Sequence, residues 1–317
     1  MDVGIGSVLI TGGAGFIGSH LAQALATKGC RVTVLDNLTS GHLENIKDFM
    51  KDITFVEGDI RDKDLLKKIT QHCDVVFHQA AVVSVTKTVD DPVGSALVNE
   101  LGTLAVLDAA RQNNVKRVVL ASSSAVYGDD PQLPKIESMP PNPLSPYAVQ
   151  KLTNELYADL YNELYGMETV CLRYFNVFGP RQDPSSPYSG VISIFMRLAT
   201  EGRTAVIFGD GEQTRDFVFV GDVVQANILA ATGNAAGEIF NVGTGKAISV
   251  NALWALISRM AGDEQKPTYE PARAGDVMHS LAGVTKGYDR LMFQASVPLT
   301  DGLSQTLAWY RNHLTAQ

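Results

Sequence analysis

The stretch Val8-Leu9-Ile10-Thr11-Gly12-Gly13-Ala14-Gly15-Phe16-Ile17-Gly18 decides the reading of this 317-residue chain. Its apolar start reads as a buried strand, its glycines as a turn, and Phe16 to Thr27 as an amphipathic helix. Gly12, Gly15 and Gly18 fall at GxxGxxG spacing. The first permits a tight turn, the second lets backbone approach a pyrophosphate, and the third lets the helix pack close to the sheet. An anion there meets free amides and the positive end of a helix dipole. A glycine triplet alone also fits an ordinary turn. The strand before it, the helix after it and a second strand, Arg31 to Leu35, ending in Asp36 make it a dinucleotide cradle. Asp36 stands where a carboxylate accepts from a ribose diol and repels a 2′-phosphate, which favours NAD over NADP; ahead of Asn37 it would also suit a turn.

Working outward, a chain that is 45% hydrophobic and 19% charged has room for a large core and one or two domains. Its net charge of −8 argues against a nucleic-acid surface or an anionic membrane, so an anionic substrate must be held by a few local arginines. Cys30, Cys73 and Cys171 are scattered without CxxC spacing, which suits reduced core thiols in a cytoplasmic protein and no metal site. The N-terminus lacks a signal-peptide pattern, and polar residues interrupt the apolar runs short of a span of ~20 residues. No membrane crossing is expected.

Strands are expected at Ile53 to Glu57, closing on Gly58-Asp59-Ile60, and at Val75 to His78, closing on Gln79-Ala80-Ala81. In a parallel sheet, ligands bind outside the carboxyl ends of the strands, so Asp59, Ile60 and Ala80 are expected to line the cofactor's adenine and pyrophosphate. Ser95 to Asn113 reads as one helix, leading to a strand at Arg117 to Ala121. This alternation with short connections predicts an α/β doubly wound parallel sheet with helices on both faces. Pro131 to Pro146 reads as a rigid loop over the site, delivering the chain to a helix from Pro146 to Tyr165. Beyond Arg173, helices are expected at Val191 to Thr200, Gly221 to Ala231, Val250 to Met260 and around Leu303 to Asn312. Strands are expected there at Ala205 to Phe208 and Ile239 to Val242. Residues 1–174 form the first domain in this reading, and 175–317 mainly a smaller C-terminal α/β substrate-binding lobe with segments returning to it.

The helix after the loop carries Tyr147 and Lys151, four residues apart and so on one face. Bringing a tyrosine from its reference pKa of about 10 to neutrality requires ~4 kcal/mol. One nearby cation supplies a lowering of about one to three pH units, so Lys151 is barely sufficient and an oxidised nicotinamide is the natural second contributor. Ser122-Ser123-Ser124, ending the preceding strand, offers a hydroxyl to the same crevice.

These residues carry a resemblance. Gly12 to Gly18, Asp59-Ile60, Ser122-Ser123-Ser124-Ala125-Val126-Tyr127-Gly128, Ser145-Pro146-Tyr147-Ala148-Val149-Gln150-Lys151 and Arg173-Tyr174-Phe175-Asn176-Val177-Phe178-Gly179 together resemble the extended short-chain dehydrogenase/reductases acting on nucleotide sugars. The match spans nearly the whole chain and is strongest to 4-epimerases of UDP-hexoses. The resemblance implies a Rossmann-type first domain, bound NAD, and a reaction through a 4-keto intermediate. It gives Tyr147 the proton of the C4 hydroxyl, Lys151 the nicotinamide ribose, and Ser123 the reacting oxygen. Around the cofactor it adds Phe16, Ile17, Asn37, Ser40 and Gly41, and further Gln79, Ala81, Asn99 and Tyr174. Asn176, Arg215 and Arg273 fall where the family holds the substrate diphosphate, Asp276 belongs to the same substrate site, and Phe208 falls in its uracil pocket. Ser84, Ser124, Gln182 and Val191 complete the sugar-nucleotide site. Ser280 stands where a tyrosine confines the family pocket to plain hexoses, and a small residue admits a 2-acetamido group. That implies UDP-GlcNAc and UDP-GalNAc, with UDP-glucose and UDP-galactose also accepted. The helices Ser95 to Asn113 and Pro146 to Tyr165 look like the family's homodimer interface.

Departures matter as well. The related 4,6-dehydratases carry an Asp-Glu pair after the catalytic hydroxyl residue, because elimination needs an added acid and base. Here those positions are Ser124 and Ala125, and Ala125 also replaces the glutamate of the UDP-glucuronate decarboxylases. Val83 replaces a lysine seen in some UDP-galactose epimerases. Another NDP-sugar epimerase and a 4-ketohexose reductase remain alternatives. A non-catalytic NAD-binding regulator is disfavoured by the joint retention of Ser123, Tyr147 and Lys151.

Overall fold

The computed structural model describes residues 4–183, 190–262, 264–272 and 277–314. The first half alternates as the apolar runs require: β1 (Ser7–Thr11), α1 (Phe16–Thr27), β2 (Arg31–Asp36), β3 (Ile53–Glu57), α2 (Lys63–Ile69) and β4 (Val75–His78). There follow α3 (Val85–Asp90), α4 (Pro92–Ala96), α5 (Thr103–Gln112), β5 (Arg117–Ser123), α6 (Pro146–Tyr165) and β6 (Glu168–Tyr174). The second half runs β7 (Asn176–Phe178), α7 (Val191–Thr200), β8 (Val206–Phe208), β9 (Thr214–Phe219), α8 (Val220–Thr232) and β10 (Glu238–Val242). It ends with β11 (Ala247–Ser249), α9 (Val250–Ala261), β12 (Thr268–Glu270), α10 (Thr285–Leu291) and α11 (Leu299–Leu314).

Seven strands form one parallel sheet in the order β10-β6-β5-β4-β1-β2-β3. The strand order reverses between β1 and β4, which opens a crevice at their carboxyl ends. One face of the sheet is buried under α1 and α8 through Val34, Phe77, Leu172 and Val223. The other face lies under α2, α5 and α6 through Leu9, Leu35, Val118 and Leu120. Central strands covered on both faces must be apolar throughout, and Val8-Leu9-Ile10 is buried without alternation. The later part adds a three-stranded sheet, β11-β9-β7, and the pair β12-β8, around a core of Phe195, Trp254, Ile257 and Tyr310.

Two expectations are corrected. Ser95 to Asn113 is not one uniform helix: α4 ends at Ala96 and a π-helical segment, Leu97–Gly102, leads into α5. The irregularity is held by side chains, since Thr103 Oγ1 donates to the Asn99 carbonyl at 2.6 Å and Asn99 turns inward to the Val82 backbone. An 18-residue stretch within Pro92–Gln112, with a mean hydropathy of 1.2, is also long and apolar enough to cross a membrane by length and composition. Half of it is buried in the fold, because its inner side is a core face against α6 and α2.

Candidate active site

The glycine turn is built by contacts that exclude side chains. Gly12 sits at φ +68°, and a Cβ there would lie 2.7 Å from the Ala80 amide. Gly15 is the N-cap of α1 and offers no side chain to the first-turn amides. A Cβ on Gly15 would meet only the Gly12 carbonyl, at 3.1 Å, so the approach to those amides is open. Asp36 is buried at the end of β2, where Oδ2 accepts from Ala14 N at 3.0 Å and Oδ1 from Leu38 N at 2.8 Å. It therefore braces the turn, and Gly41 lies so close that a Cβ there would sit 2.7 Å from both carboxylate oxygens. These residues fit a dinucleotide: open helix-start amides for a pyrophosphate beside a carboxylate for a ribose diol. Stripped protein is expected to bind NAD more tightly than NADP, and Asp36→Ala to weaken both while narrowing the gap. Equal wild-type affinities by calorimetry would make Asp36 a brace only.

Further along the same edge, Asp59 forms an ion pair with Arg61 at 2.8 Å and accepts from Asn37 Nδ2 at 2.9 Å. The Arg61 hydrogen bonds hold its carboxyl well below the usual carboxylate range. Ser40 is exposed. Ile60 departs from expectation: its side chain is buried with Leu9 and Leu35 against Gly102, because a residue just after β3 can still turn into the apolar layer beneath the sheet. Asn99 also acts on the fold, its amide bonding the Val82 backbone and Gln150 Oε1. Ala80 N donates to Thr11 Oγ1 at 3.3 Å, which keeps the Ala80-Ala81 segment beside β1.

Ser123 ends β5, and its Oγ accepts from Ala125 N at 3.1 Å, starting the short turn that contains Ser124. On the facing helix α6, Ser145 caps Ala148 N at 3.2 Å, so Tyr147 is held in the first turn. The Tyr147 and Ser123 hydroxyls are hydrogen-bonded to each other. Burial pushes the phenol up to about 12, against the lowering from Ser123. Lys151 is buried, with Nζ donating to the Ala121 carbonyl at 2.7 Å and lying 5.8 Å from the Tyr147 ring centroid. Desolvation brings that ammonium down to about 8. Ser123 supplies a lowering on Tyr147, while the Lys151 ammonium donates to the Ala121 carbonyl.

On the sugar side, Arg215 in β9 donates through Nη1 to the carbonyls of Thr214 at 2.9 Å and Met278 at 3.2 Å. Ser280 N donates to the Thr214 carbonyl at 3.1 Å, which sets half-buried Ser280 beside Arg215. Phe208 ends β8, and its carbonyl accepts from Gln213 Nε2 at 2.8 Å, joining it to the same strand. Asn176 Nδ2 donates to the Asp216 carbonyl at 3.0 Å. Gln182 Nε2 reaches the Val177 carbonyl at 3.3 Å while its buried Oε1 has no partner among the described residues. Val191 opens α7. Ser84 caps the helix that follows it, its Oγ accepting from Lys87 N at 3.1 Å, as serine before a helix does. Arg273 and Asp276 lie outside the described residues.

Sequence reading missed Asn227, which binds both Gln79 and Tyr174, and Glu155, which binds Arg173 and Ser122 beneath β5. Glu155 stands four residues after Lys151, so the helical period marked it; nothing local marks Asn227. No group of three or more His, Cys, Asp or Glu side chains able to hold a metal occurs among the described residues.

Residues 8–243 match the model of the NAD dependent epimerase/dehydratase family. The UDP-glucose 4-epimerase of Mycolicibacterium smegmatis is 42% identical over 308 residues, covering 96% of this chain and 98% of that protein. A UDP-N-acetylglucosamine 4-epimerase from Methanobrevibacter ruminantium superposes with a TM-score of 0.94 at 40% identity, covering 99% of both chains. The UDP-glucose 4-epimerase of Thermotoga maritima, solved with UDP-glucose, has a TM-score of 0.93 at 38% identity, covering 97% of this chain and 99% of its own. With a family model matched over residues 8–243 and relatives of this identity along almost the full chain, the protein belongs to the NAD dependent epimerase/dehydratase family.

Proposed function

We propose that the protein is a UDP-sugar 4-epimerase, acting on UDP-GlcNAc and UDP-GalNAc and also on UDP-glucose and UDP-galactose. The observation that carries this reading is the Tyr147–Ser123 hydroxyl pair beside buried Lys151, followed by Ser124 and Ala125, which bring no further acid or base. Bound NAD supplies the hydride acceptor, and its reduced form the donor, so that net redox is zero. Tyr147 takes the C4 hydroxyl proton, Ser123 holds the reacting oxygen, and Lys151 fixes the ribose beside them. Arg215, with Arg273, anchors the diphosphate while the sugar turns over. The relatives named for both plain and acetylated sugars support this substrate class.

Residues 1–174 then serve as the NAD-binding domain and 175–317 mainly as the nucleotide-sugar lobe. In this reading the protein is a cytoplasmic homodimer, consistent with free cysteines and with the apolar face of α4, the π segment and α6. Val93, Leu101, Leu156 and Leu164 are each more than half exposed along that face.

The test is incubation of purified protein with separate UDP-sugars and no added cofactor, followed by the Ser280→Tyr variant. A phenol in the space for the acetamido group has a steric cost of ~1–3 kcal/mol. The ratio of kcat/KM for UDP-GlcNAc over UDP-glucose is expected to fall by about 10-fold to 100-fold in Ser280→Tyr. An unchanged ratio, or no conversion of acetylated sugar by wild type, refutes the substrate assignment. No epimerisation of any UDP-sugar refutes the activity.

A further inference from the structure

Buried Asn227 and Tyr174 and half-buried Gln79 close a hydrogen-bonded ring under the strand β5. We infer that Asn227 is the positioning residue of the nicotinamide end of the cofactor site, holding the Gln79 carboxamide and the Tyr174 phenol in one orientation; this rests on the NAD-dependent reading above. Asn227 is fully buried in α8. Its Nδ2 donates to the Val223 carbonyl at 2.8 Å, and because a carbonyl only accepts, that contact settles which end of the amide is nitrogen. The same Nδ2 donates to the Tyr174 hydroxyl at 2.8 Å, which leaves the phenol proton for an amide oxygen of the ring, Asn227 Oδ1 at 3.1 Å or Gln79 Oε1 at 3.2 Å. Gln79 Nε2 then donates to Asn227 Oδ1 at 3.1 Å and closes the ring.

The ring's place gives it a function. Gln79 follows β4, Tyr174 ends β6, and β5 runs between them, with Ser123 in register with Tyr174. The ring therefore joins the two strands that flank the strand of the catalytic serine, at the carboxyl ends where ligands bind. Tyr174 and Tyr147 are close enough that charge on one opposes charge on the other. Burial also pushes the Tyr174 phenol up to about 12, against the lowering from its Asn227 and Gln79 hydrogen bonds. With its proton committed to the amide oxygens of the ring, Tyr174 stays neutral and leaves Tyr147 to exchange a proton with substrate. A helix on the far face of the sheet thus sets the floor of the site.

The experiment measures NAD and UDP affinities of cofactor-stripped protein by calorimetry. Asn227→Leu, similar in size, is expected to bind NAD about tenfold more weakly with UDP affinity unchanged. Because Asn227 acts through Tyr174, the double variant with Tyr174→Phe is expected to bind no more weakly than the worse single variant. Val224→Ala, a purely packing change on the same helix, is expected to lower the thermal midpoint without altering NAD affinity. NAD affinity of Asn227→Leu within twofold of wild type, or effects that multiply in the double variant, overturns the inference. Should Asn227→Leu fail to fold, Asn227→Ser, too short to reach both partners, carries the same expectation. A wild type that binds NAD but epimerises no UDP-sugar overturns the proposed activity alone.

Discussion

Tyr147→Phe is expected to lower turnover of every UDP-sugar by about 10²- to 10⁴-fold while changing UDP-sugar affinity little, because it deletes a proton acceptor and almost no contact area. The phenol is hydrogen-bonded to Ser123, and burial holds it near 12, so the protein alone does not make it a base at neutral pH. Lys151 Nζ donates to the Ala121 carbonyl and lies 5.8 Å from the phenol ring centroid. The positive charge of an oxidised nicotinamide would add to the lowering, and it is present only when the cofactor is ready to accept hydride. Initial-rate kinetics on NAD-loaded protein decide the matter. Turnover within a few-fold of wild type would mean that another group takes the proton, and a large rise in KM at unchanged kcat would mean that Tyr147 binds substrate without acting on it.

Arg173→Met is expected to destabilise the fold by ~3–5 kcal/mol, the cost of leaving a buried carboxylate without its counter-charge. The Arg173 and Glu155 side chains are 4% and 2% exposed. Both Glu155 oxygens are engaged, by Arg173 Nε at 2.8 Å, Arg173 Nη2 at 2.7 Å and Ser122 Oγ at 2.5 Å. The Arg173 guanidinium also lies 4.7 Å from the centroid of the Tyr127 ring. Replacing both members, as Arg173→Met with Glu155→Leu, removes the stranded charge and is expected to recover most of the loss, since a buried pair roughly balances its own desolvation. Urea midpoints of the three variants measure this. A single variant within about 1 kcal/mol of wild type would show that water or another cation reaches Glu155.

The positions of the early elements were legible because their causes are local. The ranges read for α1, β3, β4, α6 and α7 coincide with those in the structure, each bounded by a glycine, a proline or a change of period within a few residues. The GxxGxxG turn, the YxxxK spacing and the Asp36 position belong to the same class. The short strands β7, β9 and β11 gave no such signal. Their stability comes from pairing with one another, as in Ile248 opposite Arg215 and Val177 opposite Val218, and not from the period of their own residues.

The chain by itself therefore determined the doubly wound sheet and the glycine turn after its first strand, and it placed Tyr147 and Lys151 on one helix face. These follow from short-range periodicity and from conformations that only glycine or proline adopts readily. Tertiary structure decided what each group is bonded to. Lys151 meets the carbonyl of Ala121, Ile60 turns into the core, Asn99 breaks its helix to hold Val82, and Asn227 reaches Gln79 across 148 residues of chain. A hydrogen bond or a buried charge depends on distance and desolvation in space, and neither is written in the spacing of residues along a sequence.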